Sequence, residues 1–139
     1  MYLVDTNVWL ERLLDQAKSE EVGQFLDYFP ADRLAITDFA FHSIGVALSR
    51  LKQKGILLRF VQDVFVDGGV DLVRLGPEDT QRLLGAMEQF NLDFDDAYQY
   101  IAAEKHGLIL VSLDSDFDRT ERGRKTPVEA LDTIQHDEN

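Results

Sequence analysis

Three groups of carboxylates stand where a chain can do chemistry: Asp5 after "YLV", Asp96 with its neighbours Asp93 and Asp95 before "AYQYIAAEKHG", and Asp114 with Asp116 after "LILVS". Carboxylates brought together repel, and they stay ionised side by side only if a cation or a raised pKa relieves them. The chain has no Cys, and its His residues, at 42, 106 and 136, are too scattered to make a zinc cluster. Hard oxygen ligands alone point to Mg²⁺ or Mn²⁺. Such an ion binds a phosphate oxygen and activates a water for in-line attack on a phosphodiester, so the chemistry suggested is metal-assisted hydrolysis.

The acids can converge only if the surrounding elements bring them to one edge. "YLV" reads as a short buried strand, and "VWLERLLDQ" beyond it has the apolar spacing of a helix. "SEEVGQFLDYF" places Val22, Phe25, Leu26 and Phe29 on one helical face and stops at Pro30. "LAIT" is a second short strand, followed by a long helix from about Phe39 to Gln53 that Gly55 breaks. Residues 56–66 read as a helix, with a strand left open by their β-branched content, and "VDLVRL" reads as a strand. "GPEDTQRLLGAMEQF" and "LDFDDAYQYIAAEKHG" each open on acids and continue at helical spacing, the second ending at Gly107. "LILVSL" is a buried strand, and after a charged loop come a short helical "PVEAL" and a polar, frayed tail. Strands alternating with helices imply an α/β fold with a parallel sheet covered on both faces. In such a sheet the strand ends that carry Asp5 and Asp114 share one edge, where open α/β sheets bind ligands.

Taken singly, each acid has a plain structural reading. Asp5 serves as a helix cap, "DFDD" as compensation of a helix dipole, and "SLDSDFD" as a solvated turn. Their shared placement favours a site. At 139 residues the expected organisation is one domain over 1–139, without internal repeat or low-complexity segment. The absence of Cys suits a reducing cytoplasm, and neither a signal peptide nor a run of ~20 apolar residues is found, so a cytoplasmic protein is expected. The net charge of −12 opposes non-specific binding to nucleic acid, unless the surplus acids are gathered around cations.

"LVDTNVWL" and "DDAYQYIAAEKHGLILVSLDSDF", with the helix and strand spacing between them, resemble the PIN domain family, in particular the VapC-like toxins of type II toxin-antitoxin systems. The resemblance covers nearly the whole chain. It implies a three-layer α/β fold, with a central, mostly parallel sheet of four to five short strands flanked by helices. It implies a Mg²⁺- or Mn²⁺-dependent endoribonuclease, often a homodimer, held inactive by a small antitoxin protein. Asp5, Asp96 and Asp114 match the family's catalytic and metal-binding acids, and Asp116 matches a further acid nearer the metal's outer shell. Thr6, Asn7 and Ser112 match polar positions that orient those carboxylates by hydrogen bonds. Asp95 and Asp38 are further acids close enough in sequence to support the site.

One position departs from the family. Ser43 in "ITDFAFHSIGVAL" stands where a Glu is usual, and Asp38, five residues earlier, points elsewhere on a helix of about 3.6 residues per turn and reads as an N-cap. The alternative function is therefore a PIN-fold protein that binds RNA or a protein partner without cutting.

Arg119, Arg122, Arg124 and Lys125 follow the acidic loop, and Arg50, Lys52, Lys54 and Arg59 surround the end of the central helix. Beside an acidic metal site the first group is placed to hold an RNA backbone; read plainly, both groups are solvated. Trp9, Phe25, Phe29, Phe60 and Phe65 are expected to be mostly core, and any left exposed would mark a dimer or antitoxin surface. A receiver domain would need an acidic pair after its first strand and a Lys after its last long one; a haloacid-dehalogenase phosphatase would need Asp where Asn7 stands.

Overall fold

The computed structural model describes residues 1–138. Strand β1 (Tyr2–Val4) leads into helices α1 (Thr6–Leu13) and α2 (Ser19–Tyr28), and β2 (Leu34–Thr37) into α3 (Asp38–Arg50) and α4 (Lys54–Val61). Strand β3 (Asp71–Val73), helices α5 (Thr80–Phe90) and α6 (Phe94–His106), strand β4 (Ile109–Val111) and helix α7 (Pro127–Glu138) complete the chain order. The four strands form a sheet in the order β3-β2-β1-β4, and every pairing is parallel.

Alternation along the strands builds the three layers. Tyr2, Val4, Leu34, Ile36 and Val111 face a core shared with Val8, Phe25, Ile44, Leu48 and Phe60 of the helices α1 to α4, and with Ala130 of α7. Leu3, Ala35 and Leu110 face the other way, onto α5 and α6 through Leu83, Ala97, Ile101 and Phe117 of the loop after β4. Full burial of a side chain such as Phe25 or Phe117 contributes about 2–3 kcal/mol, so both layers are anchored. Among the five core aromatics expected from the sequence, Trp9, Phe25, Phe29 and Phe60 are buried and Phe65 is partly so; the exposed rings are Tyr28, Phe41 and Phe94.

Several boundaries differ from the sequence reading. The 56–66 segment is helical throughout, α4 passing into a π-helical turn over Gln62–Val66. Lys52, in the left-handed region at φ 58°, makes the turn between α3 and α4, while Gly55 lies inside α4, so the chain turns without a glycine there. Helix α7 extends from Pro127 to Glu138 rather than stopping after "PVEAL", because Ala130, Leu131 and Ile134 pack on the first core; Asn139, the end of the expected frayed tail, lies outside the described residues. No helix among the described residues is long and apolar enough to cross a membrane.

Register is what the fold contributes to the site. Val4 pairs with Val111, so the next residues, Asp5 and Ser112, emerge side by side at the carboxyl end of the sheet. The Asp5 amide donates to the Val111 carbonyl at 2.9 Å, and Lys125 extends β4's outer edge with a further parallel bridge to Val111.

Candidate metal centre

Asp5 is both a cap and the floor of a site. It is the N-cap of α1, and its side chain accepts from the Thr6 amide at 2.8 Å. Only 6% of its surface is exposed. Its Oδ1 also accepts from Gln99 Nε2 at 2.8 Å, and its Oδ2 from Ser112 Oγ at 2.8 Å and, more loosely, from Asn7 Nδ2 at 3.4 Å. Burial pushes the Asp5 carboxyl up from its ordinary range, opposed by the hydrogen bonds from Gln99, Ser112 and Thr6 and reinforced by the charge of Asp114.

Ser112 and Asn7 tie this floor to the next loop. While donating to Asp5, the Ser112 hydroxyl accepts from Asn7 Nδ2 at 3.2 Å and from the Asp114 amide at 3.0 Å, and Asn7 Oδ1 accepts from the Leu113 amide at 3.1 Å. That uses the hydroxyl's one donor and both acceptors. Asp114 then caps a short 3₁₀ turn, Ser115–Arg119, by accepting from the Asp116 amide at 2.9 Å. On the opposite wall Asp93 caps α6 by accepting from the Asp96 amide at 2.8 Å, which places Asp96 in the first turn.

Helix α6 and the capped 3₁₀ turn bring one carboxylate oxygen each from Asp96, Asp114 and Asp116 to within 4.8 Å of one another. Asp96 carries the strain. Burial first, then the charges of Asp93, Asp114, Asp5 and Asp116, push its carboxyl up to about 7. A set of half-buried carboxylate oxygens without sulfur or imidazole fits a hard divalent cation. Thr6 Oγ1, one residue from Asp5, is buried without a hydrogen-bond partner among the described residues.

Other residues singled out in the sequence lie outside this group. Asp95 is exposed on the first turn of α6. Asp38 is not the N-cap of α3: Thr37 takes that role, its Oγ1 accepting from the Ala40 amide at 2.9 Å, and Asp38 instead accepts from Tyr98 Oη at 2.7 Å. Ser43 is half-buried in α3, and none of the hydrogen bonds around Asp5, Asp96 or Asp114 involves it. The basic cluster is stitched to the fold. Arg119 donates to the Phe90 and Asn91 carbonyls and to Asp116, Arg122 to the Leu108 carbonyl, and Arg124 to Asp118 through two nitrogens and to the Ser112 carbonyl. Lys125 Nζ bonds to Thr133 Oγ1 at 2.7 Å and makes no ion pair among the described residues.

Gln99 is the residue that sequence reasoning missed. It is 1% exposed, it holds Asp5, and its Oε1 accepts from Thr37 Oγ1 at 2.6 Å. A polar residue among Ala97, Tyr100 and Ile101 on the buried side of α6 was the available signal.

Residues 2–123 match the family model of the PIN domain. Among solved structures, a chain of a toxin-antitoxin complex from Klebsiella pneumoniae is 21% identical, with a TM-score of 0.73 over 91% of this chain and 98% of that one. FitAcB from Neisseria gonorrhoeae is 19% identical, with a TM-score of 0.72 over 92% and 99%. VapC20 from Mycobacterium tuberculosis, a sarcin-ricin loop cleaving toxin, is 14% identical, with a TM-score of 0.71 over 85% and 93%. At these identities the likeness is one of fold. No curated protein matches the chain in sequence.

Proposed function

Because the chain belongs to the PIN domain family, we propose that it is a Mg²⁺- or Mn²⁺-dependent endoribonuclease, acting as the toxin of a toxin-antitoxin pair. The observation that carries this reading is the meeting of the Asp96, Asp114 and Asp116 oxygens within 4.8 Å, close enough to the buried Asp5 for its charge to act on Asp96. Asp5, Asp96 and Asp114, with Asp116 at the exposed side, would hold the cation. When bound, such an ion neutralises phosphate charge and lowers the pKa of a water toward neutrality.

The chain's own residues prepare that site. Ser112 and Asn7 fix the direction of Asp5 Oδ2, and the long Asn7 contact, at 3.4 Å, is the one that yields most easily to a cation. Asp96, pushed up to about 7, holds a proton near neutrality in the free protein and gives it up as the site fills. Arg119, Arg122, Arg124 and Lys125 line the loop beside the acids, and in this proposal they hold the RNA backbone. Of the four, Lys125, whose ammonium bonds among the described residues to a neutral hydroxyl, is the most readily redirected to phosphate.

Further parts of the proposal are a single functional domain over 1–139, a cytoplasmic location, a homodimeric state and inhibition by a small antitoxin protein covering the acidic groove. The structural neighbours named for toxin-antitoxin assemblies support the last of these. The half-buried Ser43 favours one other reading, binding of RNA or a protein partner without cleavage, since that part of α3 brings no acid to the centre.

Cleavage of single-stranded and structured RNA by the purified chain in Mn²⁺, Mg²⁺ and EDTA separates the two. Metal-dependent cutting that disappears in both Asp5→Asn and Asp96→Asn is the expected result. A folded, Mn²⁺-binding wild type that cuts no RNA would establish the binding protein instead.

A further inference from the structure

Gln99 lies within a largely buried chain of hydrogen bonds that joins α6 to the carboxyl ends of β2, β1 and β4. It starts at the first turn of α3, where the Ala40 amide donates to Thr37 Oγ1. Thr37 donates to Gln99 Oε1 at 2.6 Å, Gln99 Nε2 donates to Asp5 Oδ1 at 2.8 Å, and Asp5 Oδ2 accepts from Ser112, which in turn accepts from the Asp114 amide. The direction of the amide follows from donor and acceptor counts. Asp5 Oδ1, which also accepts from the Thr6 amide, takes the NH₂ group, and that leaves Oε1 for the Thr37 hydroxyl. Thr37 and Gln99 are both buried, at 0% and 1% exposure, so water does not compete for either bond.

We propose that Gln99 is a positioning residue of the metal centre, holding the Asp5 carboxylate at fixed rotation so that Oδ2 stays aimed at the cation held with Asp96 and Asp114. This rests on the metal-centre reading above. Without Gln99, Oδ1 of Asp5 keeps only the Thr6 amide, a contact within the same turn, and the rotation of the carboxylate is held from the Oδ2 side alone, by Ser112 and the long Asn7 contact. Thr37 holds the glutamine in turn, which couples the start of α3 to the site although α3 supplies no acid to it.

The test is Mn²⁺ affinity of the full chain, by calorimetry and by the paramagnetic signal of free Mn²⁺, for wild type, Gln99→Met and Gln99→Asn. Met keeps the length and removes both bonds; Asn keeps an amide too short to span Thr37 and Asp5, and serves if the Met variant does not fold. The expected result is a loss of affinity of about 10- to 100-fold in a variant whose circular dichroism and metal-free melting show a folded protein. In RNA cleavage at saturating Mn²⁺ the loss falls on kcat with KM unchanged. A folded variant with Mn²⁺ affinity within twofold of wild type would overturn the inference alone. Wild type that binds no Mn²⁺ would overturn the metal-centre reading and the inference with it, and Mn²⁺ binding lost in the variants of a chain that cuts no RNA would sustain the inference against the nuclease reading.

Discussion

Asp96 is predicted to cost the free protein stability at the pH where it works, and Asp96→Asn should expose that cost. Its folded-state pKa, about 7, lies above the ordinary 3.8. A raised carboxyl binds its proton more tightly in the folded than in the unfolded state. The penalty is therefore absent below pH 3.8, grows between 3.8 and 7, and is complete above 7. One pKa unit corresponds to about 1.4 kcal/mol, but Asp96 is only half-buried and solvent screens the repulsion, so the full penalty is on the order of 1–2 kcal/mol. Between pH 5 and pH 8 about 1 kcal/mol of it develops, worth about 3 °C in Tm for a chain of this size. The assay is melting of wild type and Asp96→Asn at both pH values in EDTA, then at pH 8 with Mn²⁺. In EDTA the variant should gain on wild type by about 3 °C from pH 5 to pH 8. Saturating Mn²⁺ should reverse the order, since a ligand at 100 times its Kd adds about 2.7 kcal/mol to the protein that binds it. A difference between the two proteins that is the same at pH 5 and pH 8, or a variant less stable at pH 8 in EDTA, would refute the reasoning.

Ser112→Ala removes the donor to Asp5 Oδ2 and the acceptor for the Asp114 amide and Asn7; urea denaturation should show a loss of about 1–2 kcal/mol, with weaker Mn²⁺ binding in calorimetry. Tyr98→Phe leaves Asp38 with the Phe39 amide as its donor and the Leu75 amide without its partner, so about 1 kcal/mol of stability should go while Mn²⁺ affinity stays within threefold; a larger change in affinity would bring Asp38 into the centre. Replacing Arg122 and Arg124 together by Glu should weaken single-stranded RNA binding and flatten its dependence on log salt by about 1.4, measured by fluorescence anisotropy in a cleavage-deficient background. An unchanged affinity and slope would remove both from the RNA path.

The sequence is most readable where one residue does two jobs. Asp5 is open to two readings, cap or ligand; the structure shows the cap, and the proposed ligand role is compatible with it because the N-terminus of α1 and the carboxyl end of β1 are the same place. Asp93, Asp96 and Asp114 were visible for a similar reason: helix starts and strand ends carry their own sequence signals. Gln99 was hidden because glutamine is an ordinary helix former, and its burial depends on what lies opposite, the strand ends of β1 and β2, which are remote in sequence. Asp38 went astray by one residue, since Thr37 and Asp38 are both good caps and only the observed Thr37–Ala40 bond decides between them. Helix α7 came out short because its polar residues conceal the few that pack, Ala130, Leu131 and Ile134.

The centre's charge balance is left open on one side only. Asp5 is held by a backbone amide, a glutamine, a serine and an asparagine, all neutral. Every charge that shifts Asp96 is another acid. Among the described residues no Lys or Arg pairs with Asp5, Asp96 or Asp114, and the one guanidinium at the cluster, Arg119, pairs with Asp116, its outermost member, at 3.1 Å. The fold thus uses neutral donors to orient the deepest acid and to oppose the burial that raises its pKa, and leaves the next acid strained toward protonation by burial and its neighbours' charges. Had the cluster served only to cap helices and turns, a lysine near Asp96 would relieve it without cost to those caps, as Lys105 does for Asp79 at the start of α5. In the proposed metal centre, acids left without internal cations retain affinity for an external one, and removing that strain by Asp96→Asn should stabilise the chain in EDTA and forfeit the gain expected from Mn²⁺.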